Sequence, residues 1–304
     1  MRPEVGGDLI LVTGAAGKTG RAVLRALARR GLPTRALVHR DEQMEGVRLL
    51  GAEQVAVGDL CSGADLERAF EGVHSVYHIC PNVHPEEVSI GEAAIRAALE
   101  ASVQHFVFHS VHLPRVEVMP HHWLKHRVEE RLRHSGLRHT ILQPCAYMQN
   151  VLAEIGSVTE RGVFRVPYSV DSQFSLVDLE DVAEAAATVL AAPASAPADS
   201  VYELCGPAAV SPIDIATAFG KALGGDVRAE AEDVGDWERR AREAGMGEYQ
   251  LDALVRMFRY YDVYGFVGDP RPLQNLLGRA PTSLESFVEA AQRARTVTRL
   301  LDGF

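Results

Sequence analysis

Residues 9–20 read LILVTGAAGKTG and place a short apolar run directly before glycines at positions 14, 17 and 20. The apolar run predicts a buried strand. The segment RAVLRALARRG that follows repeats apolar residues at intervals of three and four, which is typical of an amphipathic helix. Glycine is needed where a chain turns sharply, where the backbone approaches a ligand and where a helix packs closely on a strand. We therefore interpret this stretch as a strand, a glycine turn and a helix.

The same alternation continues along the first half of the chain. EAAIRAALEAS (92–102) also has the helical period, and the alternation of strand and helix predicts right-handed βαβ units and a parallel sheet. The further apolar runs are TRALVH (34–39), QVAVGD (54–59), SVYHIC (75–80), HFVFHS (105–110) and HTILQP (139–144). The expected fold class is α/β, a doubly wound parallel sheet.

After residue 144 the rhythm becomes irregular and indicates a smaller, mostly helical C-terminal lobe. We place the first domain at 1–150 and the lobe at 151–304, with the segment from about 175 to 206 returning to the first domain. Predicted elements are short strands within 164–177, a helix at 178–190, an Ala/Pro-rich linker at 192–200, a strand at 201–206 and helices near 212–223, 234–244, 247–260 and 282–297.

Composition restricts the possible partners. The 304 residues carry 31 Lys plus Arg against 41 Asp plus Glu, a formal charge of −10, which disfavours direct binding of nucleic acid. No apolar run reaches the length of a membrane span, and the first residues lack the core of a signal peptide. The cysteines Cys61, Cys80, Cys145 and Cys205 are far apart, so we expect reduced thiols in a cytoplasmic protein.

The glycine turn predicts a dinucleotide site, because the N-terminus of the following helix offers N–H groups and partial positive charge to phosphates. A nucleotide triphosphatase P-loop is excluded, since the glycine it needs five positions before Gly17 is replaced by Val12 inside the strand. The candidate phosphate-binding residues are Gly14, Ala16, Gly17, Lys18, Thr19 and Gly20.

The end of the second predicted strand bears on the choice of cofactor. An arginine there accommodates a 2′-phosphate, so Arg40 favours NADP, with Lys18 as a second cation. Asp41 beside it is able to accept a hydrogen bond from a ribose hydroxyl, so NAD stays a possible cofactor. Alternatively, Arg40 is a solvated surface residue without a cofactor contact. Asp59 and Leu60, after the third strand, are placed to reach the adenine.

With these residues identified, the chain resembles the NmrA-like family of atypical short-chain dehydrogenases/reductases. The resemblance rests on VTGAAGKTG (12–20), Arg40, GDL (58–60), KHRVEERLRHSGLRHTILQP (125–144), SLVDLEDVA (175–183) and LLGRAPTSLESFV (276–288). It implies an NADP-type Rossmann domain with a small C-terminal lobe. It also implies two kinds of member: reductases of quinones, aromatic or imine-like compounds or ether bonds, and regulators that bind the cofactor without turnover and sense redox state.

In the wider dehydrogenase family a tyrosine four residues before a lysine transfers the proton, and a serine ends the preceding strand. This spacing places both side chains on one helix face, where the lysine lowers the pKa of the tyrosine. Lys125 fits the lysine position and Ser110 ends the strand, but His121 stands in place of the tyrosine. Histidine titrates near neutral pH, so His121 is a candidate acid, or else an exposed residue at the start of the helix. Tyr147 is then a candidate hydroxyl near the reacting carbon, or else a core aromatic residue.

Other positions follow from the rule that ligands bind at the carboxyl ends of parallel strands. Cys80, Pro81 and Asn82 should line a nicotinamide pocket, and the resemblance adds Pro144, Tyr147 and Asn150. No metal site is expected, because the pair His122 and His126 lacks further ligands at a suitable spacing. The basic run RVEERLRHSGLRH is interpreted as a solvated helix with paired charges.

These observations together predict an NADPH-dependent oxidoreductase that transfers hydride to a small conjugated or aromatic acceptor of the quinone, imine, enone or ether type. Lys125, or a water that it holds, would supply the proton. The alternatives are an NADP-binding, redox-sensing regulator and a nucleotide-sugar epimerase. A small-molecule substrate and a monomer or homodimer are expected, without a membrane partner.

Overall fold

Strands and helices alternate strictly up to Pro144 and less regularly beyond it. The computed structural model describes residues 8–192 and 199–301, with the backbone alone for 295–301. The strands are β1 (Ile10–Val12), β2 (Thr34–Val38), β3 (Gln54–Val57), β4 (Ser75–His78), β5 (His105–His109), β6 (His139–Pro144), β7 (Ala146–Tyr147), β8 (Val163–Val166), β9 (Phe174–Val177), β10 (Ser200–Leu204), β11 (Ala209–Val210) and β12 (Arg228–Ala231). The α-helices are α1 (Lys18–Arg29), α2 (Met44–Arg48), α3 (Gly63–Phe70), α4 (Glu87–Glu100), α5 (Pro120–Arg133), α6 (Ile155–Arg161), α7 (Leu179–Ala191), α8 (Pro212–Leu223), α9 (Val234–Glu243), α10 (Glu248–Tyr264), α11 (Arg271–Leu277) and α12 (Leu284–Leu301).

The contacts divide the chain into two units. The first comprises the residues up to Pro144 together with Leu179–Glu203, and the second comprises Cys145–Asp178 together with the residues from Leu204 onward. In the first unit seven of the described strands form one sheet in the order β10-β6-β5-β4-β1-β2-β3. The neighbouring pairs from β6 through β3 are parallel. This is the α/β sheet that the sequence predicted.

The apolar runs explain why the inner strands lie in the middle of the sheet. All residues of β1, β4, β5 and β6 are buried, as expected for parallel strands that are covered by helices on both faces. Helix α1 buries Ala22, Val23, Leu24 and Leu27 along one stripe and packs against α7. Arg25 and Glu180 add an ion pair between these two helices at 2.5 Å.

The sheet order determines which loops are neighbours at its carboxyl edge. The chain adds β2 and β3 on one side of β1, and then β4, β5 and β6 on the other side, so the strand order switches between β1 and β4. Open α/β sheets bind ligands at such a switch point. The residues that follow β6, β5, β4, β1, β2 and β3 lie in that order along the edge. Strands are spaced by about 4.8 Å, so the end of β5 lies roughly 14 Å from the end of β2.

The second unit contains two small sheets and several helices. One sheet has the order β11-β9-β7, and β12 pairs in parallel with β8. Its core includes a group of aromatic rings. The centre of the Phe174 ring lies 5.0 Å from that of Tyr168 and 5.1 Å from that of Tyr261, which in turn lies 5.0 Å from Phe266. Strands β8 and β9 correspond to the short strands that the sequence predicted within 164–177. Strands β11 and β12 were not predicted, because strands of two to four residues leave a weak apolar pattern.

Most predicted elements are confirmed within about two residues, including the six strands of the first half and helices α7, α8 and α9, whereas α10 continues four residues beyond its predicted end, to Tyr264. Helix α11 was not predicted, since its seven residues carry little periodicity. The Ala/Pro-rich linker falls mainly on 193–198, outside the described residues. Helix α12 continues to Leu301 rather than ending near 297. Among the described residues, no helix combines the length and the apolar character needed to cross a membrane.

The expectation of four reduced thiols is wrong for one pair. Cys145 and Cys205 form a disulfide with a Cα–Cα distance of 5.4 Å, whereas Cys61 and Cys80 are free. Both bonded cysteines directly follow the ends of strands, and the Cys145 N–H donates to the Leu204 carbonyl at 3.0 Å. A separation of 60 residues in sequence concealed this proximity.

Candidate functional site

The glycine turn after β1 has a geometry that only glycine allows at two positions. Gly14 has φ +57°, and a Cβ there would lie 3.1 Å from the Ile79 carbonyl oxygen at the end of β4. A Cβ on Gly20 would lie 2.4 Å from the Gly14 carbonyl oxygen and 2.6 Å from the Ala15 Cα. The turn therefore follows the sheet edge closely, and the first turn of α1 packs directly against it.

The N-terminus of α1 is left open for an anion. Gly17 is the N-cap, with no side chain to bond the first N–H groups, and the first turn contains no acidic residue. Such an uncapped helix start carries partial positive charge and favours phosphate. Lys18 and Gly17 are exposed, while Ala16 and Thr19 are half-buried in the same turn.

Thr13, which the sequence analysis did not single out, fastens the turn to β4. Its hydroxyl donates to the Ile79 carbonyl at 3.1 Å and accepts from the Ile79 N–H at 2.9 Å. The His78 Nδ1 lies 3.0 Å from the same hydroxyl oxygen. Since the hydroxyl has one proton, Nδ1 of His78 is assigned as the donor. Thr13 is fully buried and holds together the two strands on either side of the switch point.

The ends of β2 and β3 present an exposed cation and a carboxylate. The Gln43 side-chain oxygen accepts from the backbone N–H groups of His39 and Arg40, at 3.0 and 3.1 Å, and so shapes the loop that carries Arg40. Arg40 is exposed and makes no ion pair with the residues that the structure describes. Asp41 beside it is also exposed. The candidate for the 2′-phosphate, Arg40, and the candidate for a ribose hydroxyl, Asp41, therefore both lie on this loop.

Asp59 and Leu60 follow β3 at the far end of the edge. One Asp59 carboxylate oxygen accepts from the Cys61 N–H at 2.9 Å, and the Asp59 N–H donates to Asp65 at 2.9 Å. Asp59 itself is exposed, whereas Leu60 packs against the hydrophobic core. A carboxylate oxygen and a backbone loop are thus available at the position expected for the adenine.

Lys125 lies on α5 and is bonded to a carboxylate that the sequence analysis missed. Its Nζ donates to the Glu87 Oε1 at 2.8 Å, and the two side chains are 12% and 3% exposed. Burial by itself lowers the pKa of Lys125, but the neighbouring acidic groups, Glu87 foremost together with Cys80 and Glu129, outweigh burial, so this pKa lies above its ordinary value. Lys125 is therefore an ammonium at neutral pH.

Cys80 belongs to the same group of side chains. It follows β4, is 4% exposed, and is hydrogen-bonded to the Glu87 carboxylate. Burial and the neighbouring Glu87 raise the pKa of the Cys80 thiol far above its ordinary value. Cys80 is thus a neutral thiol, not a thiolate nucleophile. Pro81 and Asn82, the next residues, are exposed at the mouth of this loop.

His121, in the place of the expected tyrosine, is poorly suited to donate a proton. Burial and the nearby Lys125 charge lower the pKa of His121 to about 4. Its Nδ1 is buried and has no hydrogen-bond partner among the described residues. The ring is also closer to the interior than the exposed helix-start position that the sequence suggested, and it meets the His122 ring edge-on at 4.6 Å.

Ser110 does end β5 at the carboxyl edge, but its hydroxyl is committed to the interior. It donates to the Glu129 Oε1 at 2.5 Å, and Gln143 donates to the same oxygen at 2.7 Å. Arg133 bonds the other Glu129 oxygen at 2.9 Å. Glu129 is only 1% exposed, so the interpretation of its helix as a solvated, charge-paired surface is wrong at this position.

Two loops at the same edge contain residues in the left-handed region of backbone conformation. Val83, after β4, has φ +47°, and Leu113, after β5, has φ +51°. Such conformations are costly for non-glycine residues and concentrate at functional sites. They lie beside Cys80 and Ser110, although Ser102, before β5, has the same conformation away from this edge.

The remaining candidates are divided between the two units. Pro144 is buried at the end of β6, and its carbonyl accepts from the His112 N–H at 2.9 Å. Tyr147 and Asn150 belong to the second unit, where Tyr147 is half-buried in β7 and Asn150 is exposed in the 3-10 turn Met148–Glu154. The first unit thus gathers every other predicted site residue along one sheet edge.

The chain is similar to known proteins over nearly its whole length. The model of the NmrA-like family matches residues 7–291. The chain is 30% identical to the NAD(P)H azoreductase of Xenophilus azovorans over 284 residues, which are 93% of this chain and 97% of that protein.

Two solved structures share the fold. The NADPH-dependent quinone oxidoreductase of Escherichia coli, complexed with NADPH, has a TM-score of 0.82 and 24% identity, covering 93% of this chain and 99% of that one. NmrA, a negative transcriptional regulator in complex with NADP, has a TM-score of 0.78 and 17% identity, covering 97% and 98%. Because the family model matches nearly the whole chain and the azoreductase aligns with it over nearly the full length of both proteins, this chain belongs to the NmrA-like family.

Proposed function

We propose that the protein is an NADPH-dependent reductase of a conjugated or aromatic acceptor. The observation that carries the proposal is the sheet edge of the first unit, where an uncapped helix N-terminus and exposed Arg40 stand on one side of the switch point and buried, charged Lys125 stands on the other. The activity of the azoreductase relative supports the class of acceptor.

The residues present fit a dinucleotide phosphate. Gly14 and Gly20 leave space that a Cβ would fill, and the start of α1 lacks a capping side chain. We infer that this turn binds the pyrophosphate, that Arg40 binds the 2′-phosphate, and that Asp59 with Leu60 faces the adenine. The order of strands then directs the nicotinamide toward Cys80 and Lys125.

When bound, reduced NADP supplies a hydride to the acceptor, and a proton completes the two-electron reduction. Hydride addition to a quinone, an enone or an azo bond leaves negative charge on an oxygen or nitrogen atom. The Lys125 ammonium is suited to stabilise that charge, because it is buried and held by Glu87. His121 contributes little as an acid at neutral pH, since its pKa is lowered to about 4.

The test is steady-state oxidation of NADPH and NADH with a panel of a quinone, an azo dye and an enone. We expect turnover with at least one acceptor, faster with NADPH, and a loss of roughly 100-fold or more in kcat for Lys125→Met. Lys221→Met, an exposed lysine of α8 in the second unit, is the matched control and should retain activity. Wild-type activity in Lys125→Met would refute the assignment of Lys125.

A cofactor-binding sensor without turnover is the second candidate. The replacement of the tyrosine of the wider dehydrogenase family by a half-buried, neutral His121 favours it, because the usual proton donor is absent. Tight NADPH binding combined with no oxidation by any acceptor, and a protein partner that binds one redox form preferentially, would support this alternative over the reductase.

A further inference from the structure

The Lys125–Glu87 pair is buried although a surface pair already joins the same two helices. Arg131 on α5 and Glu92 on α4 form an ion pair at 2.7 Å, and these side chains are 50% and 42% exposed. Lys125 and Glu87 repeat the connection in the interior, at 12% and 3% exposure. A buried ion pair is an inefficient means of joining helices, since apolar residues of similar size stabilise a protein as well or better. The Lys125–Glu87 pair therefore matters for the positive charge that it keeps on Lys125 rather than for joining the helices.

The other titratable groups near Lys125 are arranged so that Lys125 carries the positive charge. Burial, together with Lys125 itself, lowers the pKa of His78 on β4 and of His109 on β5 to about 3. His121 and His122 on α5 are also shifted downward, chiefly by burial. The histidines are thus neutral at physiological pH.

Negative charge faces Lys125 from two helices. Glu87 begins α4, where a carboxylate is favoured by the helix N-terminus, and Glu129 lies one turn further along α5. The Cys80 thiol, after β4, is bonded to Glu87 and is neutral. The Phe108 ring lies 5.7 Å below the ammonium. Glu87 makes the one hydrogen bond to Nζ found among the described residues.

We propose that Glu87 is a positioning residue that holds Lys125 as a permanent ammonium donor, so that Lys125 stabilises developing negative charge on the acceptor and keeps its own protons. This inference rests on the proposed reductase function. The balance is then a hydride from the reduced nicotinamide and a proton from water, which together convert the acceptor to its two-electron-reduced form and leave oxidised nicotinamide. Lys125 remains an ammonium before and after the step.

The direct test is lysine titration in the ligand-free, full-length protein, which the sequence makes simple because it contains three lysines, Lys18, Lys125 and Lys221. Side-chain ¹³C-labelled lysine should give three signals, and Lys125→Met identifies the relevant one. We expect the Lys125 signal of the wild type to stay that of an ammonium throughout the accessible alkaline range. In Glu87→Gln the titration midpoint should fall by about 2 pH units or more, because a buried ammonium has lost its counter-ion.

Glu87→Asp and Glu92→Gln complete the set of variants. Glu87→Asp keeps the charge at a greater distance, so it should fold and show a smaller shift in the same direction if Glu87→Gln proves too unstable. Glu92→Gln removes the surface pair between the same helices and should leave the Lys125 midpoint unchanged. An unchanged midpoint in both Glu87 variants would overturn the inference.

The pH dependence of kcat provides the second measurement. With an acceptor that the wild type reduces, we expect Glu87→Gln to acquire an alkaline loss of kcat at the midpoint found by NMR, with partial recovery in Glu87→Asp. The same profile in Glu87→Gln and the wild type would contradict a positioning role. A wild type that reduces no acceptor would refute the proposed function, whereas the titration would still decide the role of Glu87.

Discussion

Acidification from about pH 7 to about pH 5 is expected to destabilise the first unit strongly, because its sheet buries neutral histidines. His78, His105 and His109 are 0%, 1% and 7% exposed, and burial is the main cause that lowers their pKa to about 3, 4 and 3. In the unfolded chain these groups titrate near about 6.5. The unfolded state therefore binds more protons below that value, so stability is complete above it and falls toward pH 4.

The size of the effect follows from the difference in bound protons. Below the unfolded pKa each such histidine costs about 1.4 kcal/mol of unfolding free energy per pH unit, or about 2 kcal/mol between pH 7 and pH 5. Three histidines together cost about 6 kcal/mol, which is comparable with the whole stability of many proteins, about 5–15 kcal/mol. The first unit should therefore be close to unfolding at pH 5.

Urea denaturation at several pH values and constant ionic strength measures this dependence. His105→Gln, at the amino end of β5 and away from the candidate site, should remove about 2 kcal/mol of the change in unfolding free energy between pH 7 and pH 5. His134→Gln, at an exposed position after α5, is the control and should leave it unchanged. An unfolding free energy that is equal at pH 7 and pH 5 would refute the description of these histidines as buried and neutral.

Three further outcomes are expected from the fold and the cofactor loop. Gly20→Ala should lower the unfolding free energy by about 1–3 kcal/mol or more, because its Cβ would meet backbone atoms of the glycine turn, and unchanged thermal stability would contradict this packing. Arg40→Ser should reduce the preference for NADPH over NADH by about tenfold to a hundredfold in binding titrations, while Arg48→Ser should not; equal losses in the two variants would argue against a 2′-phosphate contact. Reduction of the Cys145–Cys205 disulfide should lower the unfolding free energy by about 2–4 kcal/mol, and a Cys205→Ala variant insensitive to reductant is the control; no effect of reductant on the wild type would contradict a disulfide in the folded protein.

The sheet could be predicted because its pattern is local. Each inner strand is a short apolar run, and each is followed by a segment of helical period, so the βαβ order was visible without any contact information. The glycine turn was equally visible, since Gly14 and Gly20 are required by backbone geometry at neighbouring positions. Short strands such as β11 and β12 were not predictable, because they pair through their backbone with little apolar pattern.

The charge arrangement of the candidate site could not be predicted because it depends on distant residues. Glu87 is 38 positions from Lys125 and looks like an ordinary first-turn carboxylate until α4 and α5 pack together. Glu129 sits in a run of alternating charges that is typical of a solvated helix, yet it is buried by contacts with Ser110 and Gln143. One signal in the sequence was available: lysine is rare in this arginine-rich chain, and one of its three lysines lies at position 125.

The most direct test of the central claim is a single-turnover experiment in which the protein, loaded with NADPH, is mixed rapidly with a quinone. The account predicts that the bound nicotinamide is oxidised once per chain, and that Lys125→Met binds NADPH but slows this step by about 100-fold or more. Tight binding of NADPH without oxidation by quinone, azo or enone acceptors would contradict a reductase, and an unchanged rate in Lys125→Met would contradict the role of its ammonium.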